Sequence, residues 1–92
     1  MRIAWSRTAI ANLEQIRQYI EHDQPAARRV AQRILVSVER LCRQPNLGLP
    51  GREPDTRELI VAGTPYIIPY RVHRDRVAIL AVLHTSQHRS EK

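Results

Sequence analysis

The sequence predicts an α+β fold: an N-terminal strand, an antiparallel helical hairpin, then three antiparallel strands forming one small sheet. Three observations predict it. Apolar residues recur at helical spacing in two consecutive stretches of the first half. Past residue 54 the period falls to two. Two turn signatures, Ala62-Gly63-Thr64-Pro65 and His73-Arg74-Asp75-Arg76, then cut the second half into three short runs. With 92 residues, the chain is one domain covering 1–92, and its buried share of surface is modest.

Ile3 and Trp5 alternate with polar or small residues, so Arg2 to Trp5 reads as the first strand. Ser6 follows and can cap a helix by accepting from the backbone N–H groups of the first turn. Ile10, Leu13, Ile16 and Ile20 form the apolar stripe of that helix, with Tyr19 at its edge and an end near His22. Asp23-Gln24-Pro25 restarts the chain, because Pro25 is tolerated in a first helical turn. Ala27, Val30, Ala31, Ile34, Val38 and Leu41 give the second stripe, and Pro45 is expected to end it. Arg28, Arg29 and Arg33 are expected on a solvated outer face. Only a few residues separate the helices, which makes them a hairpin.

Asn46 to Pro54, with Gly48, Pro50, Gly51 and Pro54, reads as an irregular loop. In the next strands Tyr66, Ile68, Tyr70 and Val72 share one face. Val77, Ile79, Ala81 and Leu83 share another, and Leu80 and Val82 lie opposite them. A strand apolar on both sides is covered on both sides; the hairpin is one cover and a partner protein the other. Pro69 cannot donate to a ladder, so a bulge or an unpaired edge is expected there. Thr85 to Lys92 is a polar tail.

Fourteen arginines and one lysine stand against nine acidic residues, a net charge of +6. Such a surplus favours RNA, DNA or an acidic protein as partner. Cys42 is the single cysteine, so there is no disulfide framework, and its place on an apolar helix face suggests a buried, inert thiol. The N-terminus lacks the apolar run of a signal peptide, and no segment is long enough to span a membrane, so a cytoplasmic protein is expected. His22, His73, His84 and His88 are too scattered for a metal site, and no cofactor is expected.

Arginines and His84 grouped around one sheet could support metal-free RNA cleavage. The arginines would hold the scissile phosphate, and a histidine or tyrosine would move protons. The same groups could bind an acidic surface. The candidate catalytic set is therefore Arg57, Arg71, His84 and His88. The candidate target-binding set is Arg57, Arg71, Arg74, Arg76 and His84. Ile67, Leu80 and Val82 are the candidate contacts for a partner protein.

The order of elements, with Trp5-Ser6-x-x-Ala9, Asp23-x-Pro25-x-Ala27, Thr56-Arg57-Glu58-Leu59, Gly63-x-x-Tyr66-Ile67-Ile68-x-Tyr70-Arg71-Val72 and Val82-Leu83-His84, resembles the RelE/ParE toxin superfamily of type II toxin–antitoxin systems. The resemblance covers nearly the whole chain. It implies a growth-inhibiting, plasmid-stabilising toxin held in a hetero-oligomer by a cognate antitoxin from the same operon. The partner candidates Ile67, Leu80 and Val82 then become antitoxin contacts. It also implies one of two activities. ParE-like members poison DNA gyrase by binding; RelE-like members cleave mRNA on the ribosome. The RNase members carry an arginine directly after the tyrosine that opens the third strand, where this chain has Ile67. Gln87 falls where another arginine is expected, and no tyrosine follows Tyr70. Arg52, Arg57, His84 and His88 could substitute. The resemblance therefore leans to the ParE branch, with a RelE-like endoribonuclease as the alternative and a non-toxic remnant or nucleic-acid-binding domain as the second.

Overall fold

A long central strand organises the molecule. The computed structural model describes residues 1–19 and 24–86. In chain order it has β1 (Arg2–Trp5), α1 (Arg7–Tyr19), α2 (Gln24–Arg40), β2 (Leu49–Pro50), β3 (Arg57–Ile60), β4 (Tyr66–Val72), β5 (Arg76–Ile79) and β6 (Leu83–His84). The sheet order is β1-β5-β4-β3-β2, with β6 also paired to β4. The expected end of the first helix near His22, the stripe residue Ile20, Asp23 and the tail from Gln87 to Lys92 lie outside the described residues.

The α+β class is as the sequence predicts, but the sheet is mixed. β1 runs parallel to β5, from Arg2 opposite Arg76 to Trp5 opposite Ile79. The β3–β4 and β4–β5 pairs are antiparallel across the two turns. β2 is an addition inside the expected loop: Leu49 and Pro50 pair with Glu58 and Arg57.

Alternation gives the sheet two faces. One face, with Ile3, Trp5, Leu59, Ile68, Tyr70, Val77 and Ile79, packs against Ala9 and Ile16 of α1 and Ile34 and Val38 of α2. Replacing the fully buried Ile34 with alanine would cost roughly 2–5 kcal/mol. Ser6 caps α1 as expected, its Oγ accepting from the Ala9 N–H at 3.0 Å. The stripe is rotated from the expectation: Ala9 is buried and Ile10 is 56% exposed. A small side chain is what the helix presents to the core so soon after leaving β1.

α2 stops well before Pro45. Leu41, Cys42 and Arg43 each bond the carbonyl three residues back, which tightens the last turn. Cys42 therefore sits in a turn and is half-buried rather than buried in a helix face. Arg33 is exposed, as expected, yet its head group is engaged. Its Nη1 donates to the Ala62 carbonyl at 3.2 Å, clamping α2 to the β3–β4 turn. Gly63 in that turn has φ of +78°, and an added Cβ would lie 2.4 Å from that Nη1, so a side chain there strains the backbone and displaces the Arg33 head group.

The expected bulge is present, and it corrects the reading of the last strand. From Tyr70 to Ile67 β4 takes three steps, while the opposing chain takes four, from Ile79 to Leu83. One residue is extra, and the alternation changes phase. Val82 turns inward and is 3% exposed, so it is a core residue and not on the far face. Leu83 takes that far-face place, opposite Ile67. Pro69 accepts from the Leu80 N–H at 2.9 Å but has no N–H to return. The orphaned Leu80 carbonyl accepts instead from Ser6 Oγ at 3.0 Å. The Val82 N–H, freed from the ladder, donates to Asn12 Oδ1 at 3.0 Å.

Candidate binding surface

The predicted site residues divide between the two ends of β4. Arg57 lies at one end, opposite Tyr70; His84 lies at the other, opposite Tyr66. Four residues of extended chain separate these positions, about 13 Å at 3.3 Å per residue. The candidate catalytic group is therefore not one cluster. His88 lies outside the described residues.

At the first end, Tyr70 and Arg57 hold the loop after α2. The fully buried Tyr70 hydroxyl donates to the Pro45 carbonyl at 2.7 Å and accepts from the Gly48 N–H at 2.8 Å. Arg57 Nη1 donates to the carbonyls of Gly48 at 2.8 Å and Asn46 at 3.3 Å. Gly48 has no room for a side chain, because an added Cβ would meet the Tyr70 ring at 2.8 Å. Burial pushes the Tyr70 phenol above its ordinary value, against the smaller opposing pulls of the Gly48 amide and the Arg57 guanidinium. A buried phenol that keeps its proton so firmly is a poor proton shuttle near neutral pH.

A pocket of about 510 Å³ opens beside this loop, and Thr56, Arg57, Arg71, His73 and Asp55 are among its lining residues. Arg71 comes from the sheet face opposite Arg57, paired with Ala78. Among the described residues neither arginine forms an ion pair with a carboxylate. Arg76 differs: Asp75 takes its guanidinium at 3.1 Å and that of Arg2 at 3.6 Å. Desolvation pushes the Asp75 carboxyl up, but its own backbone amide, Arg76 and Arg2 together outweigh that and hold it below the ordinary range. Arg74 is exposed in the same turn, and Arg52 is exposed in the loop before β3.

At the second end, His84 stacks edge-on against Tyr66, with ring centroids 5.4 Å apart. Its Nδ1 accepts from the Ser86 N–H at 3.1 Å and faces the Ser86 hydroxyl at 2.8 Å. A backbone N–H only donates, so the neutral ring carries its proton on Nε2. His84 lines a groove of about 690 Å³ with Asn12, Gln15, Ile16, Tyr66 and Val82. Among the described residues no arginine lines that groove.

The far face of the sheet completes the surface. Ile60 pairs with Ile67, Ile67 with Leu83, and Leu49 with Glu58. These side chains share one face. Leu49 and Ile60 are each 62% exposed, and Ile67 and Leu83 are half-buried. Sequence reasoning found Ile67 but missed Leu49, Ile60 and Leu83; the alternation in β3 was the available signal for Ile60. Leu80 is half-buried at the bulge.

A helical pair on one face of a small mixed sheet, with apolar and cationic groups elsewhere on that sheet, defines a small α+β module. Comparison with known proteins gives that module its family. Residues 3–89 match the family described as ParE toxin of type II toxin-antitoxin system, parDE. The chain belongs to this family, and such a toxin implies a cognate antitoxin. It is similar to "Putative toxin Y4kP" of Sinorhizobium fredii (strain NBRC 101917 / NGR234), 51% identical over 94% of this chain and 90% of that protein. It is also similar to Toxin RelE2 of Caulobacter vibrioides (strain ATCC 19089 / CIP 103742 / CB 15), 33% identical over 94% of this chain and 97% of that protein. Among solved structures it resembles one described as the chromosomal ParDE TA system from P. aeruginosa. The TM-score is 0.82 and the identity 26%, over 91% of this chain and 95% of that one.

Proposed function

We propose that this toxin acts in the cytoplasm by binding DNA gyrase, in the manner of the ParE branch, and does not cleave RNA. The observation that carries this reading is the division of the candidate groups. Arg57 and Arg71 line one pocket and His84 another, about 13 Å away along β4. Transition-state cations and a proton-transfer group must reach the same phosphodiester. Tyr70, the phenol nearest the arginines, is committed to Pro45 and Gly48. Ile67 supports the same reading, because it puts an apolar side chain where the RNases of the superfamily carry an arginine. Arg57, Arg71, Arg74, Arg76 and His84 remain the target-binding candidates.

The antitoxin, on this reading, covers the far sheet face at Ile67, together with Leu49, Ile60 and Leu83. Burying a side chain of this size contributes about 1.5–3 kcal/mol. Among the described residues, no helix is long and apolar enough to cross a membrane.

The test measures purified chain against gyrase with supercoiled DNA, and separately against translating ribosomes. Loss of supercoiling with intact mRNA is the expected result. Cleaved codons with normal supercoiling would establish the RelE-like alternative, which the similarity to Toxin RelE2 supports. Unimpaired growth on induction without an antitoxin would defeat both toxin mechanisms and leave the non-toxic remnant.

A further inference from the structure

The outer side of α2 carries charge that lines neither the arginine pocket nor the His84 groove. The helix holds four arginines, Arg28, Arg29, Arg33 and Arg40, against one acid, Glu39, and all five are exposed. Ile34 and Val38 turn its apolar side to the core, so the charged side looks away from the sheet. Arg29, Arg33, Val36 and Arg40 stand at i, i+4, i+7 and i+11 and share one flank of the helix. Glu39 falls on the other flank, with Arg28, Gln32 and Leu35. Arg43 follows, also exposed, in the turn that closes α2. Among the described residues none of these arginines is in an ion pair. The neighbouring helix differs, since Glu14 takes the Arg17 guanidinium at 3.1 Å.

The flank is thus an acid-free row of cations about 17 Å long from Arg29 to Arg40, at 1.5 Å per residue. Arg33 is anchored before any ligand arrives, because its Nη1 donates to the Ala62 carbonyl at 3.2 Å. A guanidinium has five N–H donors, so others remain for a ligand. Guanidinium groups suit phosphate, which they meet with paired hydrogen bonds.

The surroundings distinguish between polyanions. Single-stranded nucleic acid is gripped by stacking on aromatic rings, and α2 has no aromatic residue. An amphipathic acidic peptide needs an apolar stripe to lie on. Val36 has Arg33 and Arg40 as its neighbours along the flank, and Leu35 has Gln32 and Glu39, so the exposed apolar side chains form no stripe along the helix. Duplex DNA needs neither feature. It offers one negative charge for about every 1.7 Å of its axis, so a row of this length faces about ten of them.

We propose that the Arg29–Arg33–Arg40 row, continued by Arg43, is a contact face for the phosphate backbone of duplex DNA. It holds the duplex without reading its sequence, because backbone contacts position a protein and carry no base information. The row lies on the helix side of the molecule and the far sheet face on the other, so DNA and a protein partner can be held together. The contact goes beyond the gyrase reading and does not depend on it.

The test follows binding of the full chain to a short duplex of arbitrary sequence, by fluorescence anisotropy across a salt series. Four phosphate contacts give a slope of log affinity on log salt of about −3.6, so affinity should fall about a hundredfold between about 50 and 200 mM salt. Arg29→Gln and Arg40→Gln should each make the slope shallower by about 0.9. Arg29→Lys keeps the charge and should keep the slope. Arg17→Gln removes one charge from α1 and should leave the slope unchanged. These arginines are exposed, so the variants fold. Equal shallowing from Arg17→Gln means attraction by net charge alone and overturns the face. Tighter binding to a single strand, or to an acidic peptide of the same net charge, also overturns it. Gyrase inhibition by a chain whose slope ignores Arg29→Gln sinks the row and leaves the gyrase reading standing. The expected slopes in a chain that spares gyrase support the row and sink the gyrase reading.

Discussion

The two ends of β4 carry similar polar side chains and use them differently. At the Tyr70 end, a buried phenol and an arginine are tied to three loop carbonyls and an amide. At the Tyr66 end, the histidine contacts a neighbouring ring and a serine two residues on. The first is a rigid, cationic corner built from contacts distant in sequence. The second is a groove whose polar contacts are partly local. The cations and the imidazole that look like one catalytic set in the sequence serve separate surfaces.

The sharpest way to break this contrast is to remove the Tyr70 hydroxyl. Tyr70→Phe leaves the Gly48 N–H and the Pro45 carbonyl without their partner and should cost about 1–3 kcal/mol in urea denaturation. His84→Ala should cost less than Tyr70→Phe in the same measurement; a larger cost there would reverse the contrast. High pH should act next, at the Tyr70 end. The folded-state phenol titrates above its ordinary value of 10.0, chiefly because it is buried. Its contribution is fully present below about pH 10 and is lost as pH rises through the folded-state value. Stability should therefore fall above pH 10 in the native chain, and less steeply in Tyr70→Phe; parallel curves would refute this.

A turn mutation tests the clamp between α2 and the sheet. Gly63→Ala strains a left-handed backbone and collides with Arg33, so it should destabilise by about 1 kcal/mol or more. If Arg33→Ala removes the collision without removing the backbone strain, the double variant should recover only part of the loss. The smallest effect belongs to Asp75→Asn. Its carboxylate is exposed and its ion pairs are solvent-screened, so the melting temperature at neutral pH and physiological salt should not move measurably. Whatever Asp75 contributes is present above its ordinary value of 3.8 and is lost as pH falls through its lowered folded-state value. A large loss near neutral pH would show a tighter network in the turn.

Local signals carried most of the fold. Helical spacing, the Ser6 cap and the two turns predict elements close to those observed, and Pro69 announces its bulge. What stayed hidden is non-local. Nothing in Arg2 to Trp5 specifies a parallel partner more than seventy residues away. The two-residue β2 is too short to show a period. The bulge was foreseen, but its consequence was not: a change of phase sends Val82 to the core and Leu83 outward. For the site, residue type alone nominated Arg57, Arg71 and His84, but it could not separate them. Nor could it show that Arg33 and Tyr70 bond backbone groups, because such bonds exist only once remote segments have met.

The pairing of β1 with β5 has a bearing on how this molecule is made. The β3–β4–β5 meander closes through short turns and can form from adjacent chain. The first strand cannot, since its only ladder partner among the described residues lies more than seventy residues later in the chain. Mutations at Ile3 should thus change the unfolding rate and hardly the folding rate, whereas mutations at Ile68 should change the folding rate. Even the bulged carbonyl of Leu80 must wait for Ser6 to return to it. During synthesis, the far sheet face can begin to assemble before its beginning and end are joined, so a partner that reads that face could reach the toxin before the sheet is complete.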